Sequence, residues 1–138
     1  MYAQVLALTS VLFFTATPQG KGPNLKPVTP APYNQFCNLS PDGTKLIVYV
    51  KNASFLAIPD TRTVRVRVRF TASGKPDVVR SFSLTGGFGA NQTRHKSVAL
   101  PPSLYWDVDL NFTITVDVRN AVTESNEGDN EVSDYCLG

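Results

Sequence analysis

Between residues 64 and 70 the chain alternates without exception. Val64, Val66, Val68 and Phe70 stand between Arg65, Arg67 and Arg69. Successive side chains of an extended strand point to opposite faces, so this order gives one apolar face and one basic face. Such a segment has to lie on a core. The same period recurs twice more. Leu46, Val48 and Val50 alternate with Ile47, Tyr49 and Lys51, and Phe112, Ile114, Val116 and Val118 with Thr113, Thr115 and Asp117. Weaker strand patterns lie near 25–36, 77–84, 94–100 and 130–136. Turn-forming groups separate them: Pro41-Asp42-Gly43, Ser73 to Pro76, Gly86-Gly87, Pro101-Pro102 and Asn126 to Asn130.

Seven short strands, with no helical pattern after residue 23, predict an all-β fold. The expected form is a seven-strand antiparallel immunoglobulin-like sandwich with an apolar amino-terminal extension. The chain shows no internal repeat. A length of 138 residues is one domain with room for one core. No apolar run reaches the ~20 residues of a spanning helix, so no transmembrane segment is expected. A net charge of +2 argues against a dedicated nucleic-acid binder. Charge is unevenly placed, however. Residues 62–96 hold eight basic side chains against the single acid Asp77, and residues 112–138 hold six acids against the single base Arg119. The arginine face is therefore expected to pair with Asp117 and the acidic last strand. Its functional alternative is an anionic polysaccharide or nucleic acid.

Residues 1–23 form an apolar assembly segment with a Pro/Gly linker, and residues 24–138 the sandwich. Met1 to Thr17 carries no charge, and Pro18, Gly20, Gly22 and Pro23 then break any regular element. At period two, Leu6, Leu8, Leu12 and Phe14 share one face, and Val5, Val11 and Phe13 the other. Both faces are apolar, as in a strand buried on two sides. Such a segment finds shelter in a neighbouring copy by donor-strand complementation, a form of β-augmentation. Repeated head to tail, that contact gives a filament such as a pilus. The alternative is a cleaved signal peptide. Against it stand the absence of a basic start and a poor cleavage site, since cutting after Ala16 puts Phe14 where a small residue is wanted.

The segment from Phe112 to Asn130 reads Phe-Thr-Ile-Thr-Val-Asp117-Val-Arg-Asn120-Ala-Val122-Thr-Glu124-Ser-Asn126-Glu127-Gly-Asp129-Asn130. It resembles the signature of CARDB, the cell adhesion related domain found in bacteria and archaea. Lys45 to Asn52 is similar to that family's early strand ending in Asn, and Arg62 to Phe70 to its next strand. The resemblance implies an extracellular, cell-surface module of adhesins, surface layers or stalks, usually without catalysis. It also implies a Cys37–Cys136 disulfide, which occurs in a subset of such domains; the alternative is two buried free thiols. Read without the family, Asn120, Asn126 and Asn130 suit a hairpin corner. Asp117, Glu124, Glu127 and Asp129 read as a solvated acidic hairpin facing the arginine strand. The other reading is a calcium site, although the spacing is not that of a calcium loop. No other cofactor is expected.

His95 has no nucleophile elbow beside it, so no catalytic residue is assigned. Gly86-Gly-Phe-Gly89 reads as a flexible hairpin, and Trp106 as a cap on one end of the core. Acceptor patterns for N-glycosylation begin at Asn38, Asn52, Asn91 and Asn111; chance alone gives about 1.5. Together these features predict a non-enzymatic surface module. Its expected partners are neighbouring copies of itself and, secondarily, surface glycans. The competing expectation is a monomeric secreted adhesion or carbohydrate-binding sandwich.

Overall fold

The computed structural model describes residues 22–105 and 110–137. The seven apolar residues from Val5 to Phe14 and Trp106 lie outside the described residues. Seven strands make two antiparallel sheets: β1 (Leu25–Val28), β2 (Lys45–Asn52), β3 (Val64–Thr71), β4 (Val78–Leu84), β5 (Thr93–Ala99), β6 (Asn111–Val116) and β7 (Glu131–Tyr135). One sheet has the order β1-β2-β5 and the other β4-β3-β6-β7. The all-β sandwich expected from the alternation is the fold observed. The core lies between the sheets because the apolar face of each central strand turns inward. Leu46, Val48 and Val50 of β2 meet Val64, Val66, Val68 and Phe70 of β3 and Phe112, Ile114 and Val116 of β6, all buried.

Two strands stop earlier than their patterns suggest. β1 ends at Val28, and a turn closed by Tyr33 N–H on the Pro30 carbonyl follows. β6 ends at Val116, where Asp117 adopts φ 53° and interrupts the regular ladder, although Val118 N–H still reaches the Arg65 carbonyl at 3.1 Å.

The four sheet edges are protected in two ways. β4 and β5 border the same open side of the sandwich. Arg80 pairs with Val68, Lys96 with Val48 and Arg94 with Val50, which puts three cations on the core-facing side of edge strands. The Arg94 guanidinium lies 5.2 Å from the Phe88 ring centre and donates to the Gly87 carbonyl at 2.8 Å. The Lys96 ammonium lies 5.9 Å from the ring centre of Phe82 on β4. Inward-pointing charge deters strand addition, and the aliphatic stems cover apolar surface. On the other side the segment after β1 crosses to β7. Phe36 N–H donates to Asp134 Oδ2 at 2.9 Å, and Cys37 is disulfide-bonded to Cys136 with Cα atoms 5.4 Å apart.

The glycine-rich hairpin is a fixed packing point, not a flexible one. Phe88 N–H and carbonyl exchange bonds with Ile58, and Phe88 is buried. Gly87 has φ 69°, and a Cβ there would stand 2.3 Å from the Ile58 carbonyl oxygen. Only glycine satisfies both constraints. Gly87→Ala is expected to cost about 2–3 kcal/mol, combining overpacking and strain, read as a lower urea midpoint with unchanged slope. The neighbouring Gly86→Ala, with nothing within 4 Å of its Cβ, is the milder control. The disulfide closes a loop of 99 positions, worth about 4–5 kcal/mol in the loop-entropy model. Reduction is expected to raise the mass by two daltons and lower the melting temperature by well over 10 °C.

Candidate functional site

The β6–β7 corner holds the motif residues Asp117, Asn120, Val122, Glu124, Asn126, Glu127 and Asn130. Each has a structural task. Asp117 ends β6 in the left-handed region, and its two carboxylate oxygens accept the N–H groups of Ala121 and Val122, each at 3.0 Å. Asn120, at φ 48°, closes the turn by donating its N–H to the Asp117 carbonyl. This arrangement drops Val122 into the core. Asn126 Oδ1 accepts the Gly128 N–H and caps the single 3-10 turn Glu127–Asp129. Glu127 Oε1 accepts the Glu124 N–H. Asn130 returns the chain to the sheet, its carbonyl accepting from Val116 N–H.

Glu124 is the centre of the corner. It is 9% exposed. Its Oε2 accepts the Leu25 N–H at 2.7 Å, and its Oε1 accepts Asn130 Nδ2–H at 2.9 Å. The carboxyl therefore joins the start of β1, in one sheet, to the approach of β7, in the other. Burial raises its pKa from 4.5 to about 8; the bonds from Leu25 and Asn130 oppose the rise, while the charges of Glu127 and Asp117 add to it.

The acids are thus only in part a solvated hairpin, with Glu127 exposed and Asp129 half-buried, and Asp117 and Glu124 do not face the arginine strand. Asp117 and Glu124 are buried. Arg65 donates instead to Ser83 Oγ at 3.0 Å. Arg67 and Arg69 line an outer cleft with Thr113, Thr115 and Glu131, and Glu131 accepts the Thr115 hydroxyl. Of the acids of the last strand, Glu131 shares that cleft with the arginines. β7 is not their neighbour, because β6 lies between. Most of the oxygens that a calcium site would use are engaged by N–H donors, while Asp129 Oδ1 is buried without a hydrogen-bond partner. Six of the eight oxygens of Asp117, Glu124, Glu127 and Asp129 face backbone or Asn N–H donors within 3.1 Å. Glu127 Oε2 faces Asn130 Nδ2 at 3.4 Å. Among the described residues no group of three or more His, Cys, Asp or Glu side chains has the placement of a metal site.

Of the glycosylation positions, Asn52 is inaccessible in the fold. It is fully buried, its Nδ2 donates to the Leu56 and Gly89 carbonyls, and its Oδ1 accepts the Asn24 N–H. Asn91 and Asn111 are exposed, and Asn38 is partly so. His95 lies on the outer face of β5, its ring 5.3 Å from that of Tyr49. Beside them is a groove of about 610 Å³ lined by Lys26, Tyr49, Lys51 and Thr93, which the sequence did not single out. Period two places Tyr49 and Lys51 on the outer face of β2, but Lys26 joins them only through the β1–β2 register.

The raised Glu124 pKa has a definite sign. Between pH 4.5 and about 8 the folded protein keeps a proton that the unfolded chain releases. Stability from this group is complete below pH 4.5 and is lost as pH rises through about 8. The melting temperature is expected to fall across that window, and Glu124→Gln, which stays neutral, to flatten the profile. An unchanged profile in the variant would show that Glu124 ionises normally in the fold.

No family model and no curated protein matches the chain. Among solved structures, the CARDB domain of the PF1109 protein from Pyrococcus furiosus, crystallised in complex with di-metal ions, is similar. The match covers 81% of this chain and 89% of that one, with a TM-score of 0.55 and 18% sequence identity. At that identity the likeness is one of fold. The sandwich described above is the fold of a CARDB domain, which is also the family that the segment 112–130 resembles.

Proposed function

We propose that the chain is a non-enzymatic, extracellular adhesion-type module. The observation that carries this reading is the use of the β6–β7 corner, where the most distinctive polar residues hold backbone and the two sheets together and present no reactive group. The likeness to a CARDB domain agrees with it. The disulfide suits an oxidising compartment. Glycans at Asn38, Asn91 and Asn111 are compatible with it.

Within this reading the amino-terminal segment joins copies to one another as a filament. The Gly22 carbonyl accepts the Ser54 hydroxyl at 2.8 Å, so Gly22 itself lies beside the loop of Phe55 and Leu56, which are 90% and 49% exposed. An apolar tip next to an apolar segment favours association there. One observation favours the alternative, a secreted monomer that has lost its first segment. Among the described residues the seven strands from residue 25 on enclose a core between the two sheets.

Deleting residues 1–17 separates the two. The assembly reading expects native material whose intact mass includes Met1 to Thr17, and a sedimentation profile that collapses from large species to monomer on deletion. Native material that begins beyond residue 17 would leave the secreted monomer.

A further inference from the structure

We propose that the outer face of the β1-β2-β5 sheet carries a binding groove for an anionic polysaccharide bearing carboxylate or sulfate groups. Lys26 and Lys51 contact the anion, and Tyr49 is the platform for a sugar ring. The inference names the chemistry to which an adhesion module would adhere, and it rests on that reading but not on assembly of copies.

The groove has a volume of about 610 Å³, and no acidic residue lines it. Lys26 on β1 and Lys51 on β2 are register partners, so their side chains leave the same face as direct cross-strand neighbours. Like charges in that relation repel, and the groove offers nothing to offset them. Lysine on an edge strand deters strand addition, which accounts for Lys26. It does not account for Lys51, since β2 is the central strand of its sheet. A bound carboxylate or sulfate relieves the repulsion, and an ammonium, with three rotatable donors, accepts either geometry.

The rest of the groove is shaped in advance. Tyr49 lies between Val28 and His95 in the register, and the tilted His95 ring, 5.3 Å away, supports it. Pro30 and Phe36 form the wall. That wall belongs to the segment held to β7 by Asp134 and the disulfide, so little ordering is needed on binding. A single aromatic platform with two cations suits one charged sugar and its neighbour. Single-stranded nucleic acid takes a longer basic track with successive stacking rings. The Arg67–Arg69 cleft on the opposite sheet is the poorer candidate because Glu131 shares it.

The test uses the full chain, titrated calorimetrically with an oligogalacturonate, a heparin-type sulfated oligosaccharide and a neutral malto-oligosaccharide. Binding of at least one anionic probe is expected, weakening as salt rises, with none of the neutral one. Lys26→Gln with Lys51→Gln should weaken it about tenfold or more, from two lost charge-assisted bonds. Tyr49→Ala should weaken it severalfold, and Arg67→Gln with Arg69→Gln should leave it unchanged. Near-ultraviolet circular dichroism checks that each variant is folded. The groove assignment fails if no anionic probe binds, if the arginine pair carries the effect, or if a single-stranded oligonucleotide binds more tightly than both glycans. Sedimentation of the lysine variant without glycan separates this failure from that of assembly: association should persist unchanged.

Discussion

Two stacked sheets share no ladder, so something other than β-pairing has to tie them together where the core thins out. Here one tie is a buried carboxyl. Glu124 receives the first backbone N–H of β1 on one oxygen and the Asn130 amide on the other. The other tie is covalent, between Cys37 beyond β1 and Cys136 beyond β7. Both link residues 99 positions apart, and they stand at opposite ends of β7. One fixes the approach to that strand and the other its exit. Between them the first and last strands of the chain are held in place, although β1 is only four residues long.

The chemistry of the two ties differs. A disulfide constrains the unfolded chain whatever the pH. A carboxyl buried beside Asp117 and Glu127 favours its neutral form, and the fold thereby becomes sensitive to alkali at that end. Asn24 Oδ1, Asp129 Oδ1 and Asn130 Oδ1 are buried in the same region without a hydrogen-bond partner. Unpaired acceptors are costly in a site of low dielectric. Among the described residues, these unpaired buried acceptors all lie at the acidic corner, beside the start of β1.

Much of this was legible in the sequence, for a physical reason. Alternation is a local signal, and it placed β2, β3 and β6 on the core with the correct face inward. The left-handed turn at Asn120 was also legible, because asparagine tolerates that conformation. What escaped was whatever depends on a partner far along the chain. Asp117 continues the alternation on paper and reads as a surface acid. Its burial follows from a positive φ and from N–H groups four and five residues later. Glu124 reads as solvated because its main partner, Leu25, is remote. An immunoglobulin topology with opposite charges pairs the arginines with Asp117 and the last strand on paper, but β6 separates β3 from β7 and Asp117 turns into the core. The groove escaped in the same way, since only the β1–β2 register brings Lys26 to Lys51.

The edges constrain the kind of strand pairing the sandwich could offer to another chain. Strand addition needs an open row of backbone groups. At β4 and β5 the core-facing side of each edge carries a cation, and Arg94 is bonded to the loop between them. At β7 the crossing segment and the disulfide cover the approach. A flat edge-to-edge junction between sandwiches is therefore disfavoured on both sides. The exposed apolar surface at the entry pole sits on a loop, at Phe55 and Leu56, away from any edge. The proposed association between copies would accordingly draw on apolar burial at Phe55 and Leu56 more than on extension of a sheet. That geometry suits a chain of beads joined end to end, and it leaves both outer sheet faces clear to meet a surface.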